Sequence, residues 1–341
     1  MNIARDFRID FLRFLGLTLI VLAHVEAPFA ITQLRSFDVP LMVFVSGLCF
    51  KYPSNLKYGS YIVKRLKRLY IPTFIFLIFY FLLILLAKQS GFVIPYEKSQ
   101  IIGTFLLLEK PSIGYVWIIR VFILIALISP LVYILVNSVS SFLFAIILVV
   151  AYFVTDWIVL LVDYISSDVL RYIFEEIGVY TLAYGLILAI SLKIRGCLKA
   201  QKKFLGILSI ALLVGACVFM LIDKQVFPIS ELYKYPPHSF FLLYGIACSL
   251  ALYWLTDTQF KTSSLLARII SYISERSLWV YLWHIPFVVL ANSIDSFASY
   301  WFWKWILCYA AAIIVTFLQV GIINYVRLHY FNCRWFKYLI Q

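Results

Sequence analysis

The stretch RIDFLRFLGLTLIVLAH, from Arg8 to His24, decides how the chain is read. Between Phe14 and Ala23 its only polar side chain is Thr18. Extended by its flanks, such a run suits the roughly 20 helical residues that cross about 30 Å of hydrocarbon. It also holds Asp10, Arg13 and His24, and an ionisable side chain inside a span is costly enough to need a function or a partner. At about 100° per residue the three fall on one face roughly 60° wide, so that face looks into protein. Asp10 and Arg13 are three residues apart and placed to pair. Arg13 and His24 are separated by roughly 16 Å of helical rise and cannot touch. Glu26 lies off this face, and Pro28 is placed to end the helix.

The same lipid signature extends over the whole chain. Its 341 residues are 64% hydrophobic and 13% charged, whereas soluble domains hold about 45–50% apolar and about 25% charged residues. The solvent for most of it is therefore the bilayer. Aromatics reach 18%, with 24 Tyr and 9 Trp, which suits repeated crossings of the membrane interface. A net charge of +13 without a solvated basic face excludes a nucleic-acid partner and fits anionic lipid and loop topology instead. Apolar runs near 10–30, 37–52, 69–87, 115–136, 142–161, 177–194, 204–222, 239–255, 277–292 and 302–325 predict an all-α bundle of about ten transmembrane helices. The first run lacks a small-residue cleavage site and reads as a retained span.

Charge sets the orientation. Arg5 to Arg13, Lys51 to Arg68, Lys193 to Lys203, Lys261 to Arg276 and Arg327 to Lys337 hold about two thirds of the basic residues, and all fall on one side. Asp163, Asp168, Glu175, Glu176, Asp223 and Glu231 fall opposite. Both termini are thus expected in the cytoplasm. No internal repeat or low-complexity tract appears, so residues 1–341 read as a single membrane domain. The six cysteines, Cys333 included, show neither C-x-x-C nor metal-ligand spacing and read as reduced packing residues. No metal is expected.

Alone, His24 would read as a hydrogen-bonded interior histidine. In company with Asp10 and Arg13 it reads as a base, since imidazole is the side chain best suited to take a proton from an alcohol near neutral pH. No serine or cysteine has the setting of an activated nucleophile. Lys64-Arg65-Leu66-Lys67-Arg68 opens the third run. Beyond its value as a topology signal, Arg65 and Arg68 share a helix face and form a fork for phosphate oxygens. A cytosolic phosphorylated donor such as acetyl-CoA fits it. Walker A, G-x-G-x-x-G and H-E-x-x-H motifs are missing, which removes support for nucleotide hydrolysis, dinucleotide redox chemistry and zinc peptidase activity.

These residues resemble acyltransferase family 3, the multi-span bacterial membrane acyltransferases. Arg8-Ile9-Asp10-Phe11-Leu12-Arg13 followed by His24 is similar to that family's opening, and Arg65-Leu66-Lys67-Arg68 to its R-x-x-R motif. Tyr115-Val116-Trp117 leading to Ser129-Pro130, and Ser277 to Pro286 with Tyr281-Leu282-Trp283-His284, resemble its fourth-span and late motifs. The resemblance implies ten or so core helices in a bacterial inner membrane. It implies acetyl-CoA as donor substrate, with no tightly bound cofactor, and a span-one histidine, here His24, as the essential catalytic group. Arg13, Arg65 and Arg68 are then expected to serve donor handling or site integrity, with Asp10 beside Arg13. Tyr235-Pro236-Pro237-His238 resembles an element of members acting on exopolysaccharide or lipid-linked sugars. This places Tyr235, Pro236, Pro237 and His238, with Trp117 and His284, on the side of a polysaccharide or lipid-linked glycan acceptor. The hydrolase-like extra domain of some longer members is not expected, and a homo-oligomer is compatible with the sequence.

A polysaccharide translocator is the reading from another class. It would need repeated halves with ion-coupling acids at midplane, and the chain shows no such symmetry, Asp156 being its clearest deep acid. For the transferase, one open passage is expected from Arg65 and Arg68 past Arg13 to His24, with a second opening near Tyr235.

Overall fold

A computed structural model describes residues 6–52, 55, 57–89, 96–222, 225, 227–256, 264–294, 297, 299–329 and 336–340. Arg5, Asp223, Lys261, Cys333 and Arg334 lie outside them. Every regular element among the described residues is helical, and a helix pairs its own backbone groups where lipid offers them no hydrogen-bond partner.

Helix α1 (Phe7–Ala23) is capped by Asp6, whose carboxylate accepts from the Arg8 backbone N–H at 3.0 Å, and it ends at His24. A short α2 (Phe29–Arg35) leads to α3 (Asp38–Cys49), α4 (Tyr58–Gln89) and α5 (Lys98–Phe105). Then come α6 (Trp117–Ser138), α7 (Ser141–Val162) and α8 (Asp168–Ile173), which runs through a π-helical turn at Phe174–Val179 into α9 (Tyr180–Gly196). The chain continues with α10 (Lys199–Ile222), a 3₁₀ turn at Ser230–Tyr233, α11 (Ser239–Leu255) and α12 (Leu265–Glu275). It closes with α13 (Ser277–Asn292), α14 (Trp301–His329) and α15 (Phe336–Ile340).

All ten apolar runs are helical, but among the described residues only six helices are both long and apolar enough to cross a membrane. These are Tyr58–Ala87, Trp117–Ser138, Ser141–Val162, Asp168–Gly196, Ala200–Ile222 and Trp301–His329. The other four runs form α1, α3, α11 and α13, of 17, 12, 17 and 16 residues, short of the roughly 20 a full crossing takes. Their position explains the shortfall. α3 packs against α1, α9 and α11, and α1 packs against α13. Met by protein, they stop where polar residues begin, at His24, His238 and Ser293. The long helices instead turn Leu85, Phe142, Phe153, Trp157, Ile222 and Phe317 outward, an apolar surface that matches lipid.

Close approach holds the inner helices. A Cβ at Gly47 of α3 would lie 1.7 Å from Ser191 Oγ on α9, and one at Gly245 of α11 would lie 2.5 Å from the Pro40 ring on α3. Only glycine lets α3 sit wedged between them. Leu17, Phe44, Ile119, Leu188, Phe241 and Leu282 belong to one contiguous core around it. The five described cysteines are free thiols.

Candidate active site

Buried Asp10 accepts from Ser271 Oγ at 3.1 Å and from Ser274 Oγ at 3.0 Å, both on α12. Arg13 stands 3.7 Å from Asp10, the pairing their spacing predicts. Its terminal nitrogens donate to Ser274 Oγ and Cys49 Sγ, each at 3.0 Å. The pair therefore ties α1 to α12 and α3 as well as facing a cavity.

That cavity has a volume of about 1220 Å³. At the end of the bundle where α1, α4 and α13 begin and α9 ends, it is lined by Arg8, Arg13, Arg65, Arg68, Arg195 and Arg276. Leu17, Ile20, Phe122, Ile125 and Tyr281 line its apolar depth. Arg65 and Arg68 face it together, and among the described residues neither has a carboxylate partner; Arg65 also lies over the Tyr61 ring, 5.3 Å from its centroid. Their charge is left available to an anion. Arg195 donates to the Phe50 carbonyl, and Arg276 stacks on Tyr272 at 3.9 Å. Sequence reasoning left these two as loop charges, because nothing local marks a loop arginine as cavity-lining.

His24 stands just past the end of α1. Its Nδ1 lies 3.0 Å from His284 Nε2 on α13, with the ring centroids 5.1 Å apart and the ring planes inclined by 23°, and Tyr115 meets it edge-on at 4.8 Å. His284 Nδ1 bonds the Tyr281 carbonyl, and the Tyr281 hydroxyl donates to the Tyr115 carbonyl. The turn that carries His24 is held from behind. Asn292 Nδ2 donates to the His24 carbonyl at 3.0 Å, Lys304 Nζ donates to Asn292 Oδ1 at 3.0 Å, and Lys304 reaches Glu26 at 2.6 Å. Glu26 has the left-handed φ of 54° that swings the chain away from α1.

A second, smaller cavity of about 150 Å³ lies beside His24. Its wall includes Trp117, Tyr115 and Tyr235 together with four charged residues. Arg35 pairs with Asp38 at 2.7 Å and with Glu231 at 3.1 Å, and Lys234 lies 3.6 Å from Asp38 and 3.7 Å from Glu231. Arg35, Asp38 and Lys234 are buried, and their mutual pairing is what makes that tolerable. Trp117 and Tyr235 meet edge to face at 5.4 Å. Behind Trp117, Arg120 pairs with Glu176 of the π-helical turn.

The structure thus brings His24, His284, Trp117 and Tyr235 to one place, and Arg13, Arg65 and Arg68 to another. Pro236, Pro237 and His238 line neither cavity, because the turn sends Lys234 and Tyr235 inward while His238 precedes α11 with its Nδ1 3.3 Å from Asp156. Asp156 also accepts from the Ser239 backbone at 2.8 Å, which accounts for that deep acid. The single open passage expected from Arg65 to His24 is instead two cavities. Ile20, Ile118 and Tyr281 border both, and His24 lines only the smaller.

Helices long and apolar enough for a bilayer, enclosing a basic cavity and a polar one, define a helical membrane protein with an internal site. The family model described as acyltransferase domain, acyltransferase 3, matches residues 6–324, and the chain belongs to that family, a membrane acyltransferase. Neither the curated proteins nor the solved structures contain a match to the chain.

Proposed function

We propose that the protein is an O-acetyltransferase of the bacterial cytoplasmic membrane. It moves acetyl from cytoplasmic acetyl-CoA to a sugar hydroxyl of a surface polysaccharide or its lipid-linked precursor. In this reading the four short inner helices and the six long ones make a ten-helix bundle with both termini cytoplasmic. Support comes from the six cavity-lining arginines, all of which belong to the segments that the positive-inside rule assigns to the cytoplasm.

The donor's phosphates lie at Arg65 and Arg68, where guanidinium forks match phosphate oxygens. Its pantetheine arm extends along Leu17, Phe122 and Ile125, and its thioester arrives at the Ile20–Tyr281 wall. The acceptor sugar sits in the smaller cavity. Trp117 and Tyr235 give it an aromatic surface, and the Arg35, Asp38, Glu231 and Lys234 cluster gives its hydroxyls donors and acceptors. His24 takes the proton of the reacting hydroxyl as its oxygen attacks the thioester carbonyl.

The observation that carries this reading is the place of His24: it lines the charged pocket, while Ile20, one helical turn earlier, lines the basic cavity as well. The test is transfer of radiolabelled acetyl from acetyl-CoA by protein in vesicles, paired with assay of ester-linked acetyl on the glycans of cells with and without the protein. His24→Ala is expected to abolish both signals with insertion near normal. A purified variant keeping a tenth of wild-type transfer would return His24 to a structural role.

A further inference from the structure

The two histidines of the site meet ring to ring, and the joint has a direction. We infer that His284 is a positioning residue that locks His24 in the tautomer carrying its hydrogen on Nδ1, so that Nε2 keeps its lone pair for the acceptor hydroxyl. The inference rests on the reading of His24 as base and adds how that base is held.

The direction follows from what each atom can do. A carbonyl oxygen only accepts, so the bond between His284 Nδ1 and the Tyr281 carbonyl places the hydrogen on His284 Nδ1. In a neutral imidazole the other nitrogen is then an acceptor. His284 Nε2 faces His24 Nδ1 at 3.0 Å, so His24 is the donor across that contact. No described residue bonds His24 Nε2, and His24 lines the charged pocket. The nearby carboxylates are engaged elsewhere, Glu26 with Lys304 and Asp38 with Arg35. An aspartate commonly orients a catalytic histidine; here a second, buried imidazole does so, anchored to a backbone carbonyl.

The proton account closes on this arrangement. As the sugar oxygen bonds to the thioester carbonyl carbon, its hydrogen passes to His24 Nε2. The imidazolium so formed continues to donate from Nδ1 to His284, which stabilises it without taking the proton. When the carbon–sulfur bond breaks, Nε2 returns the proton to the departing sulfur. His24 ends neutral, in the tautomer in which it began.

The chain has four histidines, so ¹⁵N-histidine labelling of the whole protein in detergent gives four imidazoles, assigned through His24→Ala and His284→Ala. Correlation of the ring nitrogens with their carbon-bound protons is expected to show His24 with a protonated Nδ1 and a bare Nε2. In His284→Ala, His24 is expected to lose that preference and kcat to fall about 100-fold, with KM for acetyl-CoA little changed. His284→Gln, whose amide oxygen reaches the place of Nε2, is expected to restore the Nδ1–H form and recover transfer to within about tenfold of wild type. A bare Nδ1 on wild-type His24 overturns the proposal, as does, where His24→Ala is inactive, transfer at the wild-type rate by His284→Ala. If His284→Ala does not fold, the wild-type spectrum decides alone. Full activity in His24→Ala together with the Nδ1–H tautomer supports the tautomer lock and overturns only the reading of His24 as base.

Discussion

Lys304 Nζ lies 2.6 Å from a Glu26 carboxylate oxygen, joining a fully buried cation on α14 to the turn two residues past His24. The partners are unequal, since Glu26 keeps 61% of its side-chain surface exposed. Removing the carboxylate leaves a buried ammonium with Asn292 alone, whereas removing the ammonium leaves a carboxylate in contact with water. Glu26→Ala is expected to cost about 2 kcal/mol and Lys304→Met about 1 kcal/mol or less. Thermal unfolding of the two variants in detergent checks the order. Both are expected to lower transfer, because the same network holds the His24 carbonyl.

Replacing Arg65 and Arg68 together by Gln is expected to weaken acetyl-CoA binding about 100-fold. Acetyl-pantetheine lacks the nucleotide phosphates and should be little affected. Replacing both by Lys retains the charge that orients the helix and loses the planar fork, so insertion should survive while donor affinity falls. Competition binding with the two donors separates these cases, and equal losses for both would make the pair a topology signal only.

The charged cluster of the smaller cavity can be tested for stability and recognition separately. Asp38→Asn strips a carboxylate from two buried cations and is expected to destabilise the protein by about 3 kcal/mol. The double change Arg35→Met with Asp38→Leu removes both charges of the closest pair and is expected to cost less than Asp38→Asn alone. If the cluster also binds the acceptor, the double variant stays folded and loses transfer, while donor binding is retained. Normal transfer by that variant would limit the cluster to holding α2, α3 and the 3₁₀ turn together.

Much of this was legible in the order of residues. The apolar runs located the helices, the three-residue spacing of Asp10 and Arg13 announced their pair, and that of Arg65 and Arg68 their shared face. The number of full crossings was not legible, because hydropathy does not reveal whether protein or lipid meets a helix end; α3 is apolar and yet only 12 residues long. The charged pocket was hidden by distance along the chain, Arg35 and Glu231 being 196 positions apart. The partner of His24 was hidden likewise, 260 positions away. Lys304 did leave a signal: a lysine between tryptophans inside an apolar run needs a buried partner. The partner, Glu26, was set aside because an ideal helix points it away, and the left-handed turn after His24 brings it back.

The partition of Ile20, Ile118 and Tyr281 bears on how a cell could keep such a protein in an energised membrane. An aqueous bore joining the two cavities would short-circuit the ion gradient across the bilayer. Apolar constrictions dewet and stop hydrated ions, and two of the three residues that border both cavities, Ile20 and Ile118, carry purely apolar side chains. On the proposed route the acceptor hydroxyl and the thioester carbonyl meet at this border, so a two-carbon group changes hands there and neither substrate has to pass through the bundle.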